Sequence, residues 1–376
     1  MLSQSRKIGL VVSGGGVRAT AYHAGVVLYL AEQGMLEQVA HISSVSGGTL
    51  FIGLAFHYSD LNWPTSQRYR DYVFHKIKKK LTEGCLQRDA ILRCFFPKNW
   101  PLLFSRANII AQSIEKYWGI RGTLGDLPDL PQWSINGTTA ETGRRFRLKD
   151  GRFGDHELGY AACENFKLAS AMAISAAFPI GIGPLAIAAK NYIWHKRENW
   201  DALEEKAHTH KYKTINIYDG GVYDNLGIEP MFDIGRQEIK EHSNSNCIIL
   251  SDAGSQYKRR RIPHSLHPHR VKRLLDITTD QTRALRIRAF INYLQKNPQN
   301  GLYCQIGIAP QHASDSYKIE NGPHAELVGK ETWITPEEAN YALQYKTTIS
   351  KMREEDFELI ARHGYESAKS NRLLFW

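Results

Sequence analysis

Cysteine is scarce in this chain and follows no pattern. Of 376 residues five are cysteine, at Cys85, Cys94, Cys163, Cys247 and Cys304, an odd number with no C-x-x-C pair. Neither a disulfide framework nor a zinc site is indicated, and no sequence feature calls for a metal or another cofactor. Internal repeats and low-complexity tracts are absent. No RNP motif or zinc finger accompanies the basic residues, so no nucleic-acid partner is expected. A secretory signal peptide is also missing, because Met1 to Arg6 runs straight into a predicted core strand; a cytoplasmic protein is the expectation. One uncharged run, Leu168 to Ala189, spans 22 residues, which meets the length of a membrane span. Pro179, Pro184, Gly181 and Gly183 interrupt it, and it reads instead as a buried helix followed by a turn.

What is present is enough apolar material for one large core or two modest ones, 42% hydrophobic against 23% charged. Three short segments carry the chemistry. Val39 to Ser44 reads as a strand and Thr49 to Tyr58 as an apolar helix, which puts Ser46 of Ser44-Val45-Ser46-Gly47-Gly48 at a strand-to-helix corner. Such an elbow strains its serine and passes close to itself two residues before and after, where only small side chains fit. Ser44 and Gly48 meet that demand, although Ser44 replaces the usual first glycine. The plainer alternative is a polar turn with a helix cap at Ser46.

Ser13-Gly14-Gly15-Gly16-Val17-Arg18 lies between a strand, Lys7 to Val12, and a helix, Val17 to Gln33, closed by Gly34. Backbone N–H groups at a helix start point outward and suit an anion, either a phosphate or the oxyanion of a tetrahedral intermediate. The loop is neither a dinucleotide fingerprint nor a Walker loop, so an oxyanion hole at Gly14, Gly15 and Gly16 is the better reading. Asp219 ends a predicted strand, Thr214 to Tyr218, before two glycines; an ordinary Asp-Gly turn is its alternative. Serine, carboxylate and oxyanion donors together make up the parts for acyl-ester hydrolysis.

These segments, with Ile135-Asn136-Gly137-Thr138, Thr142-Gly143-Arg144 and the stretch from Ala169-Ser170-Ala171 to Phe178-Pro179, resemble the patatin-like phospholipase family, cytosolic phospholipases included. The likeness covers roughly residues 7 to 255. It implies an α/β fold of three layers, a mostly parallel central sheet flanked by helices. It also implies Ser46 as nucleophile, Asp219 as base, the glycine loop as oxyanion hole, and phospholipid acyl esters as substrate at a membrane surface. In the cytosolic branch the position of Arg18 holds an arginine associated with the headgroup phosphate, so Arg18, with Gly47, is expected to bind substrate. Ser13 and Ser44 depart from the common pattern, and both lean toward that branch. A Ser-Asp-His triad using His264, His267 or His269 remains the alternative catalytic arrangement.

The patatin-like domain is expected over 7–310, with inserts at about 60–130, 190–212 and 255–300, and 311–376 as a C-terminal helical extension of it. Trp63 to Gly84 reads as a basic helix. Cys94 to Phe104 is apolar, aromatic and proline-broken, either a lid that touches lipid or a satellite core cluster. Cations gather from Lys258 through Arg288, partly on a long helix from about 270 to 296. With a net charge of +10, they suit an anionic membrane surface or a cyclic nucleotide activator, as in patatin-like effectors of anti-phage defence, or simply form a solvated face. A silent lipid- or nucleotide-binding module is a further alternative, against which the intact Ser46, Asp219 and glycine loop argue.

Overall fold

The computed structural model describes residues 6–179, 182–197, 204–255, 261, 264, 269–317 and 324–376. Its first strand, β1 (Ile8–Val12), is buried along its whole length. That fits a parallel strand with helices on both faces, where an unbroken apolar run replaces alternation. A helix follows (Gly16–Glu32), then β2 (Val39–Ser44) and the helix Gly47–His57. The boundaries lie within two residues of those expected.

Strands β3 (Gln132–Thr139), β4 (Arg145–Lys149), β5 (Arg152–Asp155) and β6 (Gly159–Ala162) come next. Then come β7 (Leu185–Ala188), β8 (Trp194–Arg197), β9 (Glu205–His208) and β10 (Thr214–Asp219). A two-residue hairpin, β11 (Phe232–Asp233) with β12 (Glu238–Ile239), precedes β13 (Cys247–Asp252) and β14 (Gly301–Gln305). Among the described residues the main sheet runs β14-β13-β1-β2-β3-β4-β5-β6-β8-β9, with β10 pairing both β3 and β7. The half from β14 to β3 is parallel and the rest is an antiparallel wing. Residues 190–212, expected as a polar insert, supply β8 and β9 of that wing.

Register brings the three sequence segments together. Val12 stands level with both Ser44 and Ser251, so the loops leaving β1, β2 and β13 emerge side by side at the carboxyl edge of the parallel half, where open α/β sheets place their sites. On β3, β2 pairs residues 132–135 while β10 pairs 137–139. Since β4 occupies the opposite edge of β3 over 135–138, β2 and β10 share one edge and run toward each other. Their carboxyl ends meet at Asn136.

The stretch that could be mistaken for a membrane span is a buried helix, Leu168–Ser175, followed by a loop and β7. No helix among the described residues is long and apolar enough to cross a membrane. Near the C-terminus, the helix Glu354–Phe375 crosses Gly16–Glu32 at glycine contacts: a Cβ on Gly25 would sit 1.7 Å from the Ala361 carbonyl oxygen, and one on Gly364 2.1 Å from that of Tyr22. Phe357, Ile360 and Leu374 belong to the same apolar core as β1 and β13. The expected long basic helix is His269–Lys296.

Candidate active site

Ser46 has φ 52° and ψ −120°, a conformation that side chains adopt only under strain of about 1–3 kcal/mol. The backbone around it explains the small neighbours. A Cβ on Gly48 would lie 2.4 Å from the Val12 carbonyl oxygen, and one on Gly47 2.2 Å from that of Gly16. Elbow and glycine loop therefore touch backbone to backbone, which only glycine permits.

Ser44 fills the place of a glycine because its hydroxyl is used. It accepts from Trp133 Nε1 at 2.8 Å and pairs with Thr49 Oγ1 at 2.8 Å. Thr49 Oγ1 donates to Ser175 Oγ, which donates to the Asn136 carbonyl and accepts the Ser46 N–H at 2.9 Å. The strained amide is thus held by a buried chain of hydroxyls. Asn136 closes the gap between the facing strands, donating from Nδ2 to the Ser44 carbonyl and to Ser43 Oγ, each at 3.0 Å. Sequence reading assigned no role to Ser175, since a lone serine on a small-residue helix carries no signal of its own.

Asp219 is 2% exposed and forms a side-chain hydrogen bond with Ser46. Its Oδ1 accepts the Gly221 N–H at 2.6 Å, and Thr138 Oγ1 holds its carbonyl at 2.9 Å. Burial raises the carboxyl to about 7, against the smaller opposing pull of the Gly221 and Ser46 hydrogen bonds. The two side chains expected to act together are thus neighbours.

The N–H groups of the glycine loop differ in their partners. The Gly14 N–H donates to the Asn225 carbonyl at 3.0 Å, which removes it from the expected set of oxyanion donors. Among the described residues the Gly15 and Gly16 N–H groups donate to no acceptor, and both glycines line the cavity beside Ser46. Gly47 is buried and does not line that cavity, so the expected substrate contact is corrected to a backbone packing role.

Arg18, in contrast, lines the cavity, but its guanidinium is committed to main-chain carbonyls. The side chain is 1% exposed and makes four hydrogen bonds to main-chain carbonyls, two to Ala253 and one each to Leu343 and Tyr345. A guanidinium so committed cannot turn to a headgroup phosphate without stripping three carbonyls of their donor, those of Ala253 and Leu343 buried and that of Tyr345 part-buried. It bolts the glycine-loop helix to the loop after β13 and to the 343–345 segment. Thr348 from the same C-terminal segment accepts the Val17 N–H at 2.8 Å.

The cavity over Ser46 and Asp219 has a volume of about 1020 Å³. Its lining includes the apolar Leu50, Ile91, Phe95, Ile109 and Phe178, and also the charged Arg261, Lys272, Arg273 and Lys346 with the acids Asp276 and Asp280. No histidine lines it among the described residues. His264 is described and lies elsewhere, whereas His267 and the side chain of His269 fall outside the described residues. His23 sits beneath the loop, its ring bonded to Ser251 Oγ and the Ser13 carbonyl, and burial lowers it to about 4, which keeps it neutral.

Of the expected basic cluster, residues 256–260, 262–263 and 265–268 fall outside the described set. Several cations on the long helix are paired: Arg283 with the buried Asp252, Arg286 with the buried Asp224, and Lys272 at the surface with Asp276. These pairings favour a scaffold role over a free face for a nucleotide. The segment from Cys94 to Phe104, in contrast, is open. Phe95 is 75% and Phe104 94% exposed, which corresponds to a lid-like surface and not to a satellite core.

Fold and site thus define an α/β protein with a serine at a nucleophile elbow facing a carboxylate. The family model described as Patatin-like phospholipase matches residues 10–232, and the chain belongs to that family. No curated protein matches it. Among solved structures, human GIVD cytosolic phospholipase A2 is similar at 14% identity and a TM-score of 0.51, over 99% of this chain and 60% of that one. The same human enzyme in complex with methyl γ-linolenyl fluorophosphonate and terbium chloride matches at 14% identity and a TM-score of 0.50, over 97% and 58%. VipD from Legionella pneumophila has 15% identity and a TM-score of 0.31 over 68% of this chain and 51% of that one. The chain spans about 60% of the length of the human enzyme.

Proposed function

We propose that this protein hydrolyses fatty-acyl esters of phospholipids at a membrane surface. The observation that carries the reading is Ser46, strained at its elbow and bonded to a buried Asp219 raised to about 7, both lining a cavity whose walls are part apolar and part charged. A carboxylate near its own titration point at neutral pH is a capable general base. As Ser46 Oγ attacks the ester carbonyl carbon, Asp219 takes the hydroxyl proton and the carbonyl electrons move onto oxygen, where the Gly15 and Gly16 N–H groups receive them. Collapse breaks the bond to the lysolipid oxygen, which leaves with the proton from Asp219. Water then cleaves the acyl-serine.

The lipid surface as partner rests on the exposed apolar collar at the cavity mouth. Phe95 and Ile91 line the cavity, while Phe96, Trp100, Leu103 and Phe104 stand in solvent beside them. Contiguous exposed apolar surface of this kind marks an interaction site, and the net charge of +10 favours an anionic bilayer.

The test is release of fatty acid from phosphatidylglycerol vesicles by the purified protein, with Ser46→Ala as control. Activity in the wild type and none in the variant is expected; equal release from both overturns the reading. Phe95→Ser with Phe104→Ser should reduce vesicle binding and vesicle hydrolysis while leaving hydrolysis of a soluble short-chain ester intact. Unchanged vesicle binding would remove the collar from the account.

A further inference from the structure

The Asn225 carboxamide lies beside both Ser46 and Asp219. A Cβ on Gly14 would sit 2.3 Å from Asn225 Oδ1 and 3.1 Å from Ser46 Cβ. One on Gly221 would sit 2.7 Å from the same oxygen and 3.0 Å from Asp219 Oδ1. Asn225 lines the cavity, and its main chain is fixed by accepting the Gly14 N–H. Yet its side chain has no hydrogen-bond partner among the described residues, in a site where Asn136, Ser175, Thr138 and Arg18 are all engaged.

A two-residue catalytic pair leaves a problem that such a group solves. In the first half-reaction the base acts on a hydroxyl bonded directly to it. In the second, Ser46 Oγ is esterified, and Asp219 must act on a water that no covalent tether positions. A carboxamide offers a donor and an acceptor on one planar group. Its place beside both the elbow and Asp219 suits a water that faces both the acyl carbon and the carboxylate.

Resting on the hydrolase reading above, we infer that Asn225 is a third catalytic residue, the group that holds the deacylating water. The water donates one hydrogen bond to the carboxamide oxygen and gives its other proton to Asp219 as its oxygen attacks the acyl carbon. The carbonyl electrons pass to the oxygen facing Gly15 and Gly16. Collapse breaks the bond to Ser46 Oγ, which takes the proton from Asp219, and the fatty acid departs. Atoms and charge balance with water as the only added reactant.

The two half-reactions separate the catalytic role from a merely structural one. With a p-nitrophenyl acyl ester, Asn225→Ala should give a burst of one equivalent of nitrophenol followed by turnover about 100-fold slower than wild type, since misplacing a reactant by about 1 Å costs on that order. Intact mass should show the acyl group on the variant, located at Ser46 by peptide mapping, and hydroxylamine, which attacks without an activated water, should restore turnover. Asn225→Ser, a smaller polar replacement, should fall between. Equal slowing of burst and steady state, or absence of the adduct, overturns the proposal and leaves Asn225 as an anchor for Gly14. If the wild type itself hydrolyses no ester, the hydrolase reading fails as well, an outcome distinct from both.

Discussion

Replacing Asp219 by Asn should abolish hydrolysis and at the same time make the protein more stable, by an amount that grows with pH. The carboxyl is buried, with a value of about 7 in the folded chain against the ordinary 3.8. The folded state therefore holds a proton through this interval that the unfolded chain releases, and stability falls as pH rises across it. Below about pH 4 both states are protonated and nothing is lost; above about pH 7 the full cost of the buried charge is present, about 4 kcal/mol at 1.36 kcal/mol per pH unit. Asn removes the ionisation while its carbonyl can still accept the Gly221 N–H that Oδ1 accepts at 2.6 Å. Urea unfolding of both proteins at pH 5 and pH 8 checks this, with the advantage of Asp219→Asn widening by about 2–3 kcal/mol between them. In the wild type, kcat/KM for a soluble ester should fall tenfold per unit below about pH 7 as the base is protonated. Unfolding midpoints that stay parallel from pH 5 to pH 8, or a rate that persists undiminished to pH 5, would refute the assignment of a raised carboxyl as base.

The elbow predicts a second trade between stability and activity: Ser46→Gly relieves the φ of 52° and should raise stability by about 1–3 kcal/mol with no residual turnover, read by thermal unfolding and ester assay. Ser175→Ala leaves the Ser46 N–H without its acceptor and should cost about 1–3 kcal/mol, with kcat lowered more than KM is changed. Arg18→Ala strips the Ala253, Leu343 and Tyr345 carbonyls of their donor, so destabilisation of at least about 3 kcal/mol is expected. Its residual activity should fall equally on phospholipid and on an uncharged ester, and a loss confined to phospholipid would return Arg18 to the headgroup.

How much of this could be read from the sequence depends on whether a constraint is local. The elbow, the glycine loop and Asp219 are legible because each needs small residues at fixed offsets beside a strand end, and backbone geometry imposes that need within five or six positions. β1 is a fully buried run of apolar residues, the mark of a parallel strand, whereas β2 is buried although His41, Ser43 and Ser44 make half of it polar, and it is legible only through Val39, Ile42 and the elbow that follows. The commitments of Arg18 are illegible for the opposite reason: its three acceptors are the carbonyls of residues 253, 343 and 345, more than two hundred positions downstream, and no local pattern announces them. Ser44 looked like a departure from an elbow, but its hydroxyl starts a relay through Thr49 and Ser175 that a glycine could not support. A substitution that weakens a local motif can thus strengthen the site once its distant partners are in place.

The same distance explains why the C-terminal segment, which lies beyond the matched family region of residues 10–232, matters to the chemistry. Thr348 accepts the Val17 N–H at the start of the glycine-loop helix, and a Cβ on Gly16 would fall 2.4 Å from its carbonyl oxygen. Gln87, at the root of the exposed collar, bonds Thr348 Oγ1 at 3.0 Å and donates its own N–H to the Ile349 carbonyl. Collar, C-terminal segment and oxyanion loop are therefore joined by direct bonds. A lipid surface that reorients the collar would act on the very peptide groups that receive the oxyanion, so Gln87→Ala should lower the ratio of vesicle to soluble-ester hydrolysis while leaving vesicle binding intact. If binding and hydrolysis fall together, the collar serves adhesion alone and the link through Thr348 carries nothing to the site.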